Sequence, residues 1–172
     1  MATTPRSTRL RRSGQVLITG AAVTAAVGFL PGAVGTAAAA PAAVTAPAYP
    51  SGIVAPTPAT QVVVDHATSQ VGKGYAYGGN GPDAYDCSGL TTQSFAAAGI
   101  EIPRTSSAQA EIGTPVDRSA LLPGDLVLYY SPVSHVGIYI GNDQIVNALN
   151  SDTGVIVSSV DMEGYAGARR IA

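Results

Sequence analysis

A single cysteine, Cys87, in 172 residues rules out any disulfide within the chain. With only two histidines, His66 and His135, the ligands for a structural zinc site are lacking as well. Whatever folds must therefore be held by a hydrophobic core. The stretch able to supply one is residues 61–172, near the size of one small domain with a single core. It shows no internal repeat and no second domain.

The residues before it read differently. Arg6, Arg9, Arg11 and Arg12 precede an apolar stretch over residues 16–30, and small residues follow through Ala40, the charged, apolar and cleavable order of a signal peptide. Residues 1–39 are assigned to it. Cleavage after Ala39 or Ala48 satisfies the small-x-small rule, and the apolar stretch is shorter than the roughly 20 residues that span a bilayer. Arg11-Arg12 raises the twin-arginine route, but Ser13-Gly14 lacks the apolar residues expected after such a pair, which favours the general one. Residues 40–60, rich in Ala and Pro and free of charge, read as an extended linker. The protein is expected to be secreted, extracellular or cell-wall associated, with no stable membrane association once the leader is removed.

Four of the nine basic residues lie in the leader and all eleven acidic ones lie after residue 60, which leaves the domain formally at −6, five bases against eleven acids. Nucleic acid is an unsuitable partner for such a surface, because binding it requires clustered Lys and Arg.

Val63, Val64, Ala67 and Val71 recur at helical spacing up to Gly72 and predict a first helix, with a strand as the alternative that their β-branching leaves open. A second runs from Leu90 through Ala98 and stops at Gly99, with Asp86 as its N-cap and Cys87 in its first turn. Pro103 to Ala110 can hold a short third helix. Residues 125–130, 135–140, 144–149 and 154–159 are β-branched or aromatic runs separated by turn residues, a meander of antiparallel strands. Helices first and sheet second predict an α+β fold.

A cysteine at a helix start meets unpaired N–H groups and the positive end of the helix dipole, which favour a thiolate and bring its pKa into the range of roughly 3.5–7.5. The competing assignment is a small buried hydrophobe. Of the two histidines, His66 is expected to be solvated. His135 opens a strand in which Val136, Ile138 and Ile140 alternate toward the core, leaving His135, Gly137 and Tyr139 on a face that can look at the cysteine helix. Gly137 then leaves room for a substrate or another backbone. If Gly141-Asn142-Asp143 is a three-residue hairpin loop, Gly137 faces Asn147 and His135 is its diagonal neighbour. A two-residue loop would turn Asn147 to the opposite face. Asn147 in reach of His135 would fix the tautomer of the ring, as in a Cys-His-Asn triad.

These motifs together resemble the NlpC-type family of secreted peptidoglycan endopeptidases. The likeness runs from about residue 62 to the end through Gly72-Lys73-Gly74-Tyr75-Ala76-Tyr77-Gly78-Gly79, Gly81 to Leu90, Ile102-Pro103-Arg104-Thr105, Pro123-Gly124-Asp125-Leu126 and His135 to Gly141. It implies a papain-like fold with the helix of Cys87 packed on a sheet bearing His135. Asn147 takes the third polar position, where many members have His. Tyr75 matches a tyrosine whose hydroxyl reaches the active site, and Tyr77 stands where Trp is frequent, with an expected effect on packing. The implied chemistry is acyl transfer by Cys87 and His135 through a thioester, with the Cys87 N–H and Tyr75 at the oxyanion and no cofactor or metal.

Asp86, Ser88 and Arg104 are candidates for binding the substrate, against capping for Asp86 and a structural salt bridge for Arg104. Asp125, after Pro123-Gly124, is assigned to a turn. The implied substrate is a peptidoglycan stem peptide, cut between D-glutamate, through its γ-carboxyl, and a diamino acid by a monomeric enzyme. The alternatives are an acyl or peptidyl transferase of the same fold and a non-catalytic wall-binding module.

Overall fold

The computed structural model describes residues 52–172, so the signal-peptide assignment lies outside the described residues. Helix α1 (Pro58–Ser69) starts with Pro58 in its first turn behind a capping box, in which Thr57 Oγ1 accepts from Thr60 N–H and Thr60 Oγ1 accepts from Thr57 N–H. It thus begins inside the stretch assigned to the linker, and Ala55, ahead of it, is already buried. Val63, Val64 and Ala67 face the core as expected. The helix ends at Ser69, so Val71 reaches the core from the following turn.

Two very short strands, β1 (Gly74–Tyr75) and β2 (Ala84–Tyr85), pair in parallel, and β2 runs directly into α2 (Cys87–Ala97). Gly99, in the left-handed region just past the Ala98 C-cap, turns the chain away. Leu90 and Phe95, both fully buried, anchor α2, each contributing about 1.5–3 kcal/mol of burial free energy. Helix α3 (Ser106–Gln109) follows, capped by Thr105.

The sheet comprises β3 (Thr114–Val116), β4 (Leu126–Tyr129), β5 (His135–Gly141), β6 (Gln144–Asn150), β7 (Gly154–Ser159) and β8 (Tyr165–Arg170), all antiparallel, in the order β3-β8-β4-β5-β6-β7. The expected meander is present as β4 to β7. It is not the whole sheet: β8 returns across it to pair with β4 and carries β3 on its outer edge. Tyr165-Ala-Gly-Ala-Arg-Arg170 has too little apolar alternation to signal a strand, and pairing with β4 supplies what its sequence lacks.

Both faces of this sheet are covered. Leu126, Leu128, Val136, Ile138, Ile140, Val146 and Ala148 pack against Val63, Val64, Leu90 and Phe95 of the helices, whereas Val127, Tyr129, Tyr139, Ile145 and Val160 form a second cluster on the other side. His66, expected to be solvated, is half-buried between the helices. Its Nδ1 lies 3.1 Å from Ser94 Oγ, whose own proton goes to the Leu90 carbonyl, so the ring nitrogen donates. Burial, with Lys73 nearby, holds its pKa below the ordinary histidine value.

Asp125 does more than form a turn. Its buried carboxylate accepts from Leu122 N–H at 2.8 Å and from Arg170 Nε and Nη2 at 2.8 and 2.7 Å, which clamps β8 beside β4. Removing the guanidinium leaves a carboxylate without its charge partner, so Arg170→Ala is expected to lower the free energy of urea unfolding by about 3 kcal/mol. A loss below about 1 kcal/mol would mean that water replaces the guanidinium there.

Candidate active site

Cys87 enters its cleft by way of three local constraints. Asp86 N–H donates to the Gly79 carbonyl at 3.0 Å, and the Asp86 side chain caps α2 by accepting from Gly89 N–H at 2.6 Å. Gly89 permits the close approach: a Cβ there would run into the Gly79 carbonyl oxygen and lie 2.8 Å from Asn80 Oδ1. The pairing of Tyr75 with Tyr85, two residues before Cys87, brings the Tyr75 ring beside the thiol. Burial, followed by the neighbouring Cys87, Asp86 and Tyr77, raises the Tyr75 pKa, so its hydroxyl stays protonated.

The other partner is set by the β5–β6 hairpin. Its turn has two residues, Asn142 and Asp143, both left-handed with φ of 53° and 55°. By the parity rule such a turn would have sent Asn147 to the wrong face. It does not, because the ladder slips by one residue between Tyr139 and Gly141, leaving Ile140 and Gly141 together opposite Gln144. The bulge restores the register, Ile138 facing Val146, and Asn147 shares a face with His135 as the three-residue loop would have arranged. His135 Nε2 lies 3.1 Å from Asn147 Oδ1, with Asn147 fully buried. Gly137 does not make room for a substrate; a Cβ there would meet Ile145 Cδ1 at 2.8 Å and Asn147 Cβ at 3.2 Å, so the missing side chain lets Asn147 sit close.

The face expected to look at the cysteine helix is the opposite one. The helices cover the side of Val136 and Ile138, while the His135 ring lies with its centroid 5.8 Å from that of Tyr129 on the other. Cys87 reaches the start of β5, where Val136 N–H, next to His135, donates to its sulfur. With Nε2 on Asn147, Nδ1 is the nitrogen left for the thiol.

Burial is the strongest influence on Cys87 and pushes the thiol upward; Val136 N–H pulls it back, Asp86 raises it, and the Ser88 N–H and hydroxyl lower it. The net direction is up, opposite to that expected from the helix start, because burial, with the Asp86 carboxylate, outweighs the hydrogen bonds from Val136 and Ser88. His135 is lowered by burial, with Asn147 raising it in part. Both shifts favour the neutral forms, thiol and imidazole.

Tyr75, Tyr77, Asp86, Cys87, Ser88 and Arg104 line one cleft of about 560 Å³, with Val133 and Ser134 as its wall toward His135. Arg104 forms a bidentate pair with Asp86 at 2.9 and 2.7 Å and also donates to Ser88 Oγ at 2.8 Å and the Gly79 carbonyl at 3.3 Å. Burial raises the Asp86 pKa, but Arg104 and the N–H groups of Gly89 and Gly78 outweigh it and hold the carboxyl below its usual range. Tyr77 is 95% exposed and packs on nothing, contrary to the expected packing role; it stands at the rim.

Sequence reasoning missed Gln109. Fully buried, it donates to the Pro103 carbonyl at 2.8 Å and accepts from Thr91 Oγ1 at 2.8 Å, which ties the segment bearing Arg104 to the first turns of α2. A polar residue in a four-residue helix gives no signal by itself. Among the described residues, no group of three His, Cys, Asp or Glu side chains is placed to hold a metal.

A helix with a cysteine in its first turn, packed on an antiparallel sheet with a histidine at the start of one strand, defines the papain-like α+β class. A sequence model of the NlpC/P60 family matches residues 72–170, and the chain belongs to that family. A protein of Corynebacterium glutamicum named as a probable endopeptidase is 46% identical over 110 residues, 64% of this chain and 53% of its own length. "Probable endopeptidase p60" of Listeria monocytogenes is 47% identical over 105 residues, 60% of this chain and 21% of its own. The chain thus spans about half the length, or less, of these curated relatives. Among solved structures, the peptidoglycan hydrolase RipB of Mycobacterium tuberculosis superposes with a TM-score of 0.60 at 34% identity, covering 65% of this chain and 64% of that one. The P60 domain of an antigen of M. avium subspecies paratuberculosis gives 0.61 at 34% identity, covering 65% and 93%.

A thiol raised by burial reacts in its thiolate form only as pH climbs through the raised pKa. The rate of Cys87 alkylation by iodoacetamide is accordingly expected to inflect above pH 9, the ordinary thiol value. An inflection below pH 7 would show a resting thiolate–imidazolium pair instead.

Proposed function

We propose that this protein is a secreted cysteine endopeptidase that hydrolyses peptidoglycan stem peptides, at the bond between the γ-carboxyl of D-glutamate and a diamino acid. The single observation that carries the reading is Cys87 lining the cleft with Val136 N–H on its sulfur, while the neighbouring His135 is held by Asn147 at 3.1 Å. Family membership, and relatives named as endopeptidases and as a peptidoglycan hydrolase, support the substrate class. The leader supports export, and the acidic domain supports a peptide rather than a nucleic-acid partner.

In this mechanism His135 Nδ1 takes the thiol proton as sulfur attacks the peptide carbonyl. The oxyanion is met by the Cys87 N–H in the first turn of α2 and by the protonated Tyr75 hydroxyl, and one such donor is worth about 2.7–4 kcal/mol in the transition state. The imidazolium, stabilised by Asn147 Oδ1, gives its proton to the departing amine. Neutral again, His135 draws a proton from water, which resolves the thioester. Asp86, Ser88 and Arg104 form a polar cradle at one end of the cleft for the charged groups of the stem peptide, and Tyr77 edges it. The catalytic chain acts as a monomer.

Digestion of defined peptidoglycan fragments, followed by mass spectrometry, tests this. New termini at one stem-peptide bond are expected from the wild type and none from Cys87→Ala. Products carrying an added amine would identify a transferase, and intact fragments retained by both proteins a wall-binding module.

Because Asn147 raises a histidine that burial lowers, Asn147→Ala is expected to move the acid limb of kcat/KM to lower pH. The same change should cost about 10- to 100-fold in kcat through the loss of ring orientation. An unmoved limb would remove Asn147 from the site.

A further inference from the structure

Three adjacent strands carry a continuous line of polar side chains across the face of the sheet that holds His135. Asn147 of β6 faces Ile156 of β7, so Ser158, two residues on, is its diagonal neighbour. On the other side, by the register of Ile138 with Val146, His135 is its diagonal neighbour from β5. The Asn147 amide fills the span: Oδ1 lies 3.1 Å from His135 Nε2, and Nδ2 donates to Ser158 Oγ at 2.9 Å. Asn147 is fully buried, so the donor end of its amide depends on a protein partner.

We propose that Ser158 is a positioning residue of the catalytic site, which anchors the far end of the Asn147 amide and so keeps its oxygen within reach of His135. The proposal rests on Cys87 and His135 acting as the catalytic pair. An amide turned over would set N–H against Nε2, forcing the ring proton onto Nδ1 and disabling it as the base for sulfur. It would also oppose N–H to N–H once the ring is protonated. The ring thus sets the sense of the amide, while the Ser158 hydroxyl, accepting from Nδ2, fixes where the amide sits. The groups against the imidazole are Tyr129 of β4 and Asn147 of β6, and Cys87 of α2 lies at the neighbouring Val136 N–H. Among these, Asn147 is the one whose hydrogen bond raises the ring's pKa.

Ser158 lies on an edge strand and is half-buried, so the test uses two β-favouring residues of the same shape. Ser158→Thr keeps the hydroxyl; Ser158→Val lacks only that group. In the full chain, Thr is expected to stay within about twofold of wild type. Val should lose about five- to tenfold in kcat with KM unchanged, a single hydrogen bond's worth, and shift the acid limb to lower pH. In an Asn147→Ala background the two should be equal. Equal kcat and pH limbs for Val and Thr with Asn147 intact, a Val loss that persists undiminished beside Asn147→Ala, or a change confined to KM would each overturn the proposal. NMR titration of His135 needs no substrate: a lower pKa in Val than in Thr supports the anchor even if stem peptides prove not to be the substrate, and identical values refute it.

Discussion

The cleft depends on one carboxylate. Asp86 caps the nucleophile helix through Gly89 N–H, fastens the preceding loop through Gly78 N–H at 2.8 Å, and holds Arg104 from a segment eighteen residues away. A group so enclosed would be forced toward its neutral form by desolvation. Here the guanidinium and two backbone donors reverse the sign. Helix start, tyrosine loop and Arg104 segment are thereby fixed to one point, and Gln109 fastens the same segment from behind. Burial raises the pKa of the neighbouring thiol, and this charge adds to the shift in the same direction.

Shifts that favour the neutral thiol and imidazole put the work of activation onto His135. In the proposed mechanism the ring accepts a proton in the step that forms the carbon–sulfur bond, and the features that suit it to this are its burial, which favours the neutral form, and its amide partner, which stabilises the imidazolium once formed. The two influences oppose one another in the ground state and divide the labour along the reaction.

Much of this was legible in the residues. The Asp86 cap, the stop at Gly99, the short helix after Arg104 and the strands bearing His135 and Asn147 follow from local signals strong enough to survive tertiary context. Strand β8 and the two-residue β1 and β2 did not, since their pairing is supplied from elsewhere in the chain. The direction of the thiol pKa was misread because a helix start is local, whereas burial and the precise placing of Asp86 are not. Alternation gave the correct contents of each face of β5 but not which one the helices cover, since period two is blind to that choice. His66 looked solvated because its partner, Ser94, lies 28 positions away.

The β5–β6 turn has a wider consequence. A two-residue turn with a bulge and a three-residue loop without one place the same residue of β6 opposite Gly137, so the hairpin has two interchangeable ways of delivering Asn147 to the ring. Turn length is thereby uncoupled from catalytic geometry only as a matched pair with the bulge: a residue gained in one must be lost from the other. The tip of the hairpin is free to change in length and chemistry along that one line, while an unmatched one-residue slip of the ladder turns β6 inside out.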